Sequence, residues 1–284
     1  MSKLAGRALH YVFKIGDRNA TSHFYRDILG MKVLRHEEFA DGCEATCNGP
    51  YANRWSKTMV GYGSEDTHFV VELTYNYPVK QYDLGNDFIG ITIKSREALE
   101  RAKQHDYPIH EGNVLKAPDG YRFFILDEPQ PTDQDPVQKV TLASTNLERS
   151  IAYWHKLLGL DIYHQEKNKV TVGFAPEQAK LELQLIDEPL NRAQAYGRIA
   201  FTIPFNQQED VDARVKAANE TVLNSLISLD TPGKATVRVV ILADPDGHEI
   251  CFVDDENYRK LSVFDPEGEK LLDRYMKKDL RDRQ

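Results

Sequence analysis

Glu72 is a carboxylate set inside an apolar run, Phe69-Val70-Val71-Glu72-Leu73. A lone acid there needs a cation or hydrogen-bond donors once the run is buried, so it is predicted to face a concave site. The stretch Gly247-His248-Glu249-Ile250-Cys251 gathers an imidazole, a carboxylate and a thiol, all of them metal-ligand types. Strand alternation puts Glu249 and Cys251 on one face with Glu249 nearer the turn, where a solvated strand end is its expected role. Cys43 and Cys47 have the spacing of one helical turn, but two thiols with no second pair nearby make a poor zinc site. With Cys251 they form an odd, sparse set of three that offers no disulfide framework and favours a reducing compartment. His23, His36 and His155 fall in helix-like or strand-like stretches and are expected to pack or to face solvent.

These groups must be positioned by a repeated scaffold. Phe24-Tyr25-Arg26-Asp27-Ile28-Leu29-Gly30 is echoed 129 residues on by Tyr153-Trp154-His155-Lys156-Leu157-Leu158-Gly159. Each reads as the end of an amphipathic helix closed by a glycine. Pro118-Asp119-Gly120 is echoed 127 residues on by Pro245-Asp246-Gly247, each a tight turn entering an apolar strand. Near-equal offsets imply duplication of a whole domain. Within each half, first strands are predicted at 9–15, 88–93, 137–143 and 199–203, and helices at 20–29, 96–104, 147–158 and 208–218. The expected organisation is a first domain at 1–128, a second at 136–255 and a charged, helical, fraying tail at 256–284. The Pro-rich, acidic stretch 127–136 separates the two domains.

Bulk properties exclude whole classes. The 284 residues carry 36 Lys plus Arg and 44 Asp plus Glu, a net charge of −8 spread along the chain. A nucleic-acid partner would need a concentrated basic patch, and no apolar run approaches the roughly 18 residues of a membrane span. The first 15 residues hold Lys3, Arg7 and Lys14 without an acid, the pattern of a transit peptide. The strand at 9–15 requires any cleaved segment to end before about Ala8. Cytoplasm is the expected location, with the mitochondrion as the alternative address.

The stretch Val71-Glu72-Leu73-Thr74-Tyr75-Asn76-Tyr77-Pro78-Val79-Lys80 resembles the glyoxalase I strand and loop that carry a metal-binding Glu and a glutathione-binding Asn. The chain is identified as a member of the glyoxalase I-like, or vicinal oxygen chelate, superfamily, a likeness that extends over nearly its whole length. The resemblance implies an α+β fold of four βαβββ units forming two tandem glyoxalase/bleomycin-resistance/dioxygenase-like domains. It also implies a groove between paired units that holds a metal. The implied chemistry is isomerisation of the hemithioacetal of methylglyoxal and glutathione, as in a lactoylglutathione lyase.

Carried over residue by residue, the ligand positions fall at His10 and Glu72 in the first unit, Gly90 and Phe124 in the second, Lys139 and Glu182 in the third, and Arg198 and Cys251 in the fourth. Within-half pairing of units leaves His10 and Glu72 alone in one site. Pairing the first unit with the fourth gathers His10, Glu72 and Cys251 as ligands of one divalent metal, zinc being the best match for the thiol. That pairing also places Arg198 beside Glu72 and Lys139 beside Glu182, one carboxylate for each cation. Glu72 and Cys251 are the implied catalytic positions, and Lys14 and Asn76 the implied contacts to a glutathione adduct. Phe124 and Cys251 stand where the family keeps a proton-carrying carboxylate. A metal-free binding module for a small ligand or protein partner is therefore the alternative to a lyase. An extradiol dioxygenase would need a second His that no pairing supplies.

Overall fold

The computed structural model describes residues 3–195, 197–231 and 233–281. Residues 282–284, part of the end expected to fray, lie outside the described residues, as do Met1, Ser2, Tyr196 and Pro232.

Four units follow one another. The first comprises β1 (Arg7–Ile15), α1 (Arg18–His23), β2 (Lys32–Phe39), β3 (Trp55–Gly61) and β4 (Val70–Asn76). The second comprises β5 (Phe88–Lys94), α2 (Arg96–Gln104), β6 (Val114–Lys116) and β7 (Arg122–Leu126), so two strands rather than three follow its helix. The third comprises β8 (Val137–Ser144), α3 (Leu147–Ile151), β9 (Asp161–Gln165), β10 (Lys169–Gly173) and β11 (Lys180–Leu185). The fourth comprises β12 (Arg198–Ile203), α4 (Gln208–Ala217), β13 (Thr221–Leu229), β14 (Val237–Ala243) and β15 (Glu249–Asp254).

Local chemistry sets the element ends. The side chains of Asp17, Ser95 and Asn146 accept backbone N–H bonds at the starts of α1, α2 and α3, satisfying donors a helix leaves open. The helices expected at 20–29 and 147–158 begin as α-helix but finish in wider π turns, at Phe24–Ile28 and Ala152–Leu157. Each then stops at a glycine in the left-handed region, Gly30 at φ 76° and Gly159 at φ 79°.

Units pair across the halves of the chain. β1 runs antiparallel to β12, joining the first unit to the fourth in an eight-stranded sheet, β13-β14-β15-β12-β1-β4-β3-β2. β5 runs antiparallel to β8, joining the second to the third in a seven-stranded sheet, β6-β7-β5-β8-β11-β10-β9. Between the sheets lies a shared aromatic core in which Phe13 stacks on Tyr121 at 4.1 Å and meets Phe88 edge-on at 5.0 Å. Such pairs add directional preference to apolar burial.

From Asp255 through residue 281, the segment beyond β15 is packed and ion-paired rather than a solvated tail. α5 (Asp255–Leu261) is capped by Asp254, and α6 (Gly268–Arg281) lies along the first unit with Leu272 buried. Its acids meet bases near α1: Glu269 and Asp273 with Arg26 at 2.5 and 2.9 Å, Asp279 with buried Arg18 at 2.8 Å. The charge that reads as solvation in the sequence is one side of an ion-paired interface.

Cross pairing predicts that neither half folds alone as a monomer. Residues 1–128 expressed alone leave β1 and β5 without their neighbours, edges that invite association. Light scattering and circular dichroism should show each half unfolded or oligomeric, and the mixed halves should recover a 1:1 complex. A cooperatively folded, monomeric half would contradict it.

Candidate active site

The strand register builds the site. β1 lies between β12 and β4, and Val12 pairs with Arg198 on one side and Glu72 on the other. Arg198 and Glu72 therefore sit two strands apart, roughly 9.5 Å at the spacing of a sheet. Glu249, on β15, pairs directly with Arg198. The expected Arg198–Glu72 ion pair accordingly does not form: Glu249 accepts from Nε and Nη2 of Arg198 at 2.9 and 2.6 Å. Nη2 also donates to the Ala45 carbonyl at 2.8 Å. Glu249 is thus no solvated strand end; its side chain is 14% exposed and lies 3.6 Å from Arg192 as well.

Arg198 and Glu72 line a cavity of about 290 Å³ whose wall also includes His10, Arg35, Lys57, Cys251 and Tyr258. Segments 41–44 and 228–231 border it, and Phe39 stacks on Trp55 at 4.2 Å at its edge. His10 Nε2 lies 3.4 Å from Glu72 Oε2, and the Tyr258 hydroxyl lies 3.2 Å from His10 Nδ1. Burial lowers the His10 pKa to about 3, assisted by Arg35, Lys57 and Arg198 against the opposing pull of Glu65. The imidazole is neutral throughout the physiological range. Burial pushes the Cys251 thiol up to about 12, although Arg198 works the other way.

Lys14 and Asn76, the expected glutathione contacts, lie under the loop that borders the cavity rather than on its wall. Asn76 is fully buried, donating to the Asn48 carbonyl and Tyr82 hydroxyl at 2.9 Å and accepting from Asn48 Nδ2 at 2.9 Å. Lys14 donates to the Cys47 carbonyl at 3.3 Å, and burial with Arg198 nearby lowers its pKa to about 8. The same loop corrects the cysteine expectation. Cys43 and Cys47 form a disulfide, their Cα atoms 5.5 Å apart across a turn in which Thr46 takes φ 52°, inside the span a disulfide bridges.

Comparison with known proteins places this geometry. Residues 7–136 match the Glyoxalase/Bleomycin resistance protein/Dioxygenase superfamily, and residues 146–261 match the C-terminal domain of glyoxalase domain-containing protein 4-like proteins. The chain is 54% identical to glyoxalase domain-containing protein 4 of Rattus norvegicus over 97% of its length and 94% of the relative. The chain belongs to the glyoxalase superfamily. It is also 47% identical to glyoxalase 1 of Caenorhabditis elegans, over 97% of this chain and 98% of that one. The crystal structure of glyoxalase I from Zea mays superposes with a TM-score of 0.73 at 27% identity, covering 90% of this chain and 94% of the other.

Set against this family, the second groove is closed by its own side chains. Lys139 pairs with Glu182 at 2.5 Å as expected, and Thr141 and Thr171 donate to the same carboxylate at 3.1 and 3.2 Å. A Cβ added at Gly90 would lie 2.3 Å from the Phe124 ring, which fills the space of the missing side chain.

The first groove holds an incomplete donor set. His10 and Glu72 stand as two ligands of one ion would, but Arg198 occupies a third position and the Cys251 thiol is held protonated. Among the described residues no group of three or more His, Cys, Asp and Glu is arranged to hold a metal. These residues do not fit the three protein ligands of a catalytic zinc.

Arg35, Glu65, Lys57 and Tyr258 escaped sequence reasoning. Arg35 and Glu37 alternate along β2, and Tyr258 and Leu261 share a helical face within a charged stretch. Those periodicities were the available signals. His23 is exposed, His36 is buried between Thr58 and Glu38, and His155 bonds the Leu160 carbonyl.

The depressed His10 pKa carries a sign. The unfolded chain binds the proton near pH 6.5 and the folded chain only near 3, so stability is complete above about 6.5 and is lost as pH falls. Between these values the wild type should lose about 1.4 kcal/mol per pH unit more than H10Q. Urea unfolding across that pH range measures it, and parallel slopes would contradict it.

Proposed function

We propose that the chain is a lactoylglutathione lyase-type isomerase, acting on the hemithioacetal of methylglyoxal and glutathione in the groove shared by the first and fourth units. The observation that carries the proposal is the meeting of His10 Nε2 and Glu72 Oε2 at 3.4 Å on the wall of the cavity. A relative of the same family, from Oryza sativa subsp. japonica and 27% identical over 89% of this chain and 91% of its own, is named lactoylglutathione lyase.

In this reading Glu72 takes the proton from the thiol-bearing carbon and returns it to the adjacent one. Negative charge develops on the oxygens between these events. Lys57 and Arg198 stand on the wall to oppose that charge, the kind of preorganised electrostatics that lowers such barriers. Val12, Leu229, Val237 and Val253 are among the apolar residues of the wall and exclude water from the reacting carbons. A divalent cation would find two protein donors here, His10 and Glu72, one fewer than a catalytic zinc takes from the protein.

The loss of the family's carboxylate at Cys251 and the presence of Arg198 favour a second reading, a non-catalytic module that binds a small thiol adduct. One experiment separates the two. Hemithioacetal isomerisation is followed with the full chain, E72Q and H10A, each with added zinc and after chelation. The lyase predicts turnover that falls by about 100-fold or more in E72Q, the scale of positioned proton transfer. Calorimetry with S-lactoylglutathione supplies the other arm: binding without turnover in the wild type would replace the lyase with the binding module.

A further inference from the structure

We infer that Tyr258 is a positioning residue for His10: its hydroxyl fixes the imidazole in the tautomer protonated on Nδ1 and turns the Nε2 lone pair onto Glu72.

The argument is proton counting. Tyr258 comes from α5, beyond the four repeated units, and its side chain is buried against the cavity wall. Its hydroxyl donates to Glu65 Oε2 at 2.6 Å. Glu65 is itself anchored by Arg35, which donates from Nε at 2.6 Å and from Nη2 at 3.2 Å. A phenol has one hydrogen, and here it is committed to a carboxylate. Only lone pairs of the Tyr258 oxygen remain to face His10 Nδ1 at 3.2 Å, so Nδ1 must supply the hydrogen. A neutral imidazole carries a single N–H, which leaves Nε2 as an acceptor.

The whole relay is held from behind. Arg35 Nη1 donates to Glu37 at 2.8 Å, and Lys234, which lies beyond the bordering segment 228–231, reaches Glu37 at 2.9 Å. Burial acts to raise the Glu37 pKa, yet Arg35, Lys57 and Lys234 outweigh it and hold the group near 2. Arg35, Glu65, Glu37 and Lys234 each have a charged partner, so Tyr258 is not free to reverse its hydrogen bond at small cost.

The consequence lies in the cavity. Nε2 and Glu72 Oε2 face each other as two acceptors, so a substrate hydroxyl that reaches this wall can donate its one hydrogen to either of them. That consequence rests on the cavity being the reaction site; the tautomer does not.

Long-range ¹⁵N–¹H correlation spectra of the full chain at neutral pH read the tautomer directly, with His10 identified by its loss in H10Q. The expected result is protonation at Nδ1 in the wild type and a shift toward Nε2 protonation in Y258F, where Glu72 becomes the ring's acceptor. Turnover should fall about tenfold in Y258F, the scale on which a group behind a ligand or base acts. An Nε2-protonated His10 in the wild type, or an unchanged tautomer in Y258F, overturns the inference. Should Y258F fail to fold, the wild-type spectrum decides alone. An Nδ1-protonated His10 in a chain without turnover supports the positioning role while counting against the lyase.

Discussion

The antiparallel seam between β1 and β12 is the constraint from which the rest follows. It sets strands from the two ends of the chain side by side, with Val12 opposite Arg198 and His10 opposite Ala200. A slip of one residue between the two strands would leave His10 and Arg198 on opposite faces of the sheet. The seam also fixes the companion joint between β5 and β8, since once the outer units are paired the inner two have only each other. Both sheets then close on one aromatic core.

Charge in the first groove is distributed by the same register. Arg198 is neutralised by Glu249 on the adjacent strand and Arg35 by Glu65 and Glu37. An ion pair this deeply buried gains little net stability over apolar packing, but breaking one partner costs about 3–5 kcal/mol. The pairs are therefore better understood as fixing positions than as supplying stability. What they leave on the wall is the His10–Glu72 contact, in which burial, assisted by the cationic neighbours, keeps the imidazole neutral.

The repeat, the first strand of every unit and α2 were legible in sequence because duplication and periodicity are local signals. So was the placement of Glu72 on a cavity wall, since an acid in an apolar run has few places to go. The ion-pair partners were not. Choosing Glu72 for Arg198 followed charge counting among four positions, whereas the sheet decides by strand adjacency, and β1 stands between the two. Asn76 was legible only as an amide in a familiar motif, expected to contact a glutathione adduct; its burial and its three hydrogen bonds to Asn48 and Tyr82 depend on a loop whose path no periodicity marks. The C-terminal segment was misjudged for a related reason: a charged helix looks the same whether its charges meet water or Arg18 and Arg26.

Cross pairing also explains why the two grooves differ. The inner groove is formed by units whose flanking chain is short and internal, and it is filled from within by Phe124 over Gly90 and by Lys139 on Glu182. The outer groove is formed by the first and last units, so any chain added after β15 emerges beside it. α5 uses that position to place Tyr258 behind His10, and α6 continues along the outside of β2, whose other face supplies Arg35 to the cavity. An extension at the same end of a within-half pair would have reached a groove without His10. The topology that brings the chain ends together thus makes the C-terminal helices part of the site, and it gives one groove, rather than both, the means to hold a neutral histidine against a carboxylate.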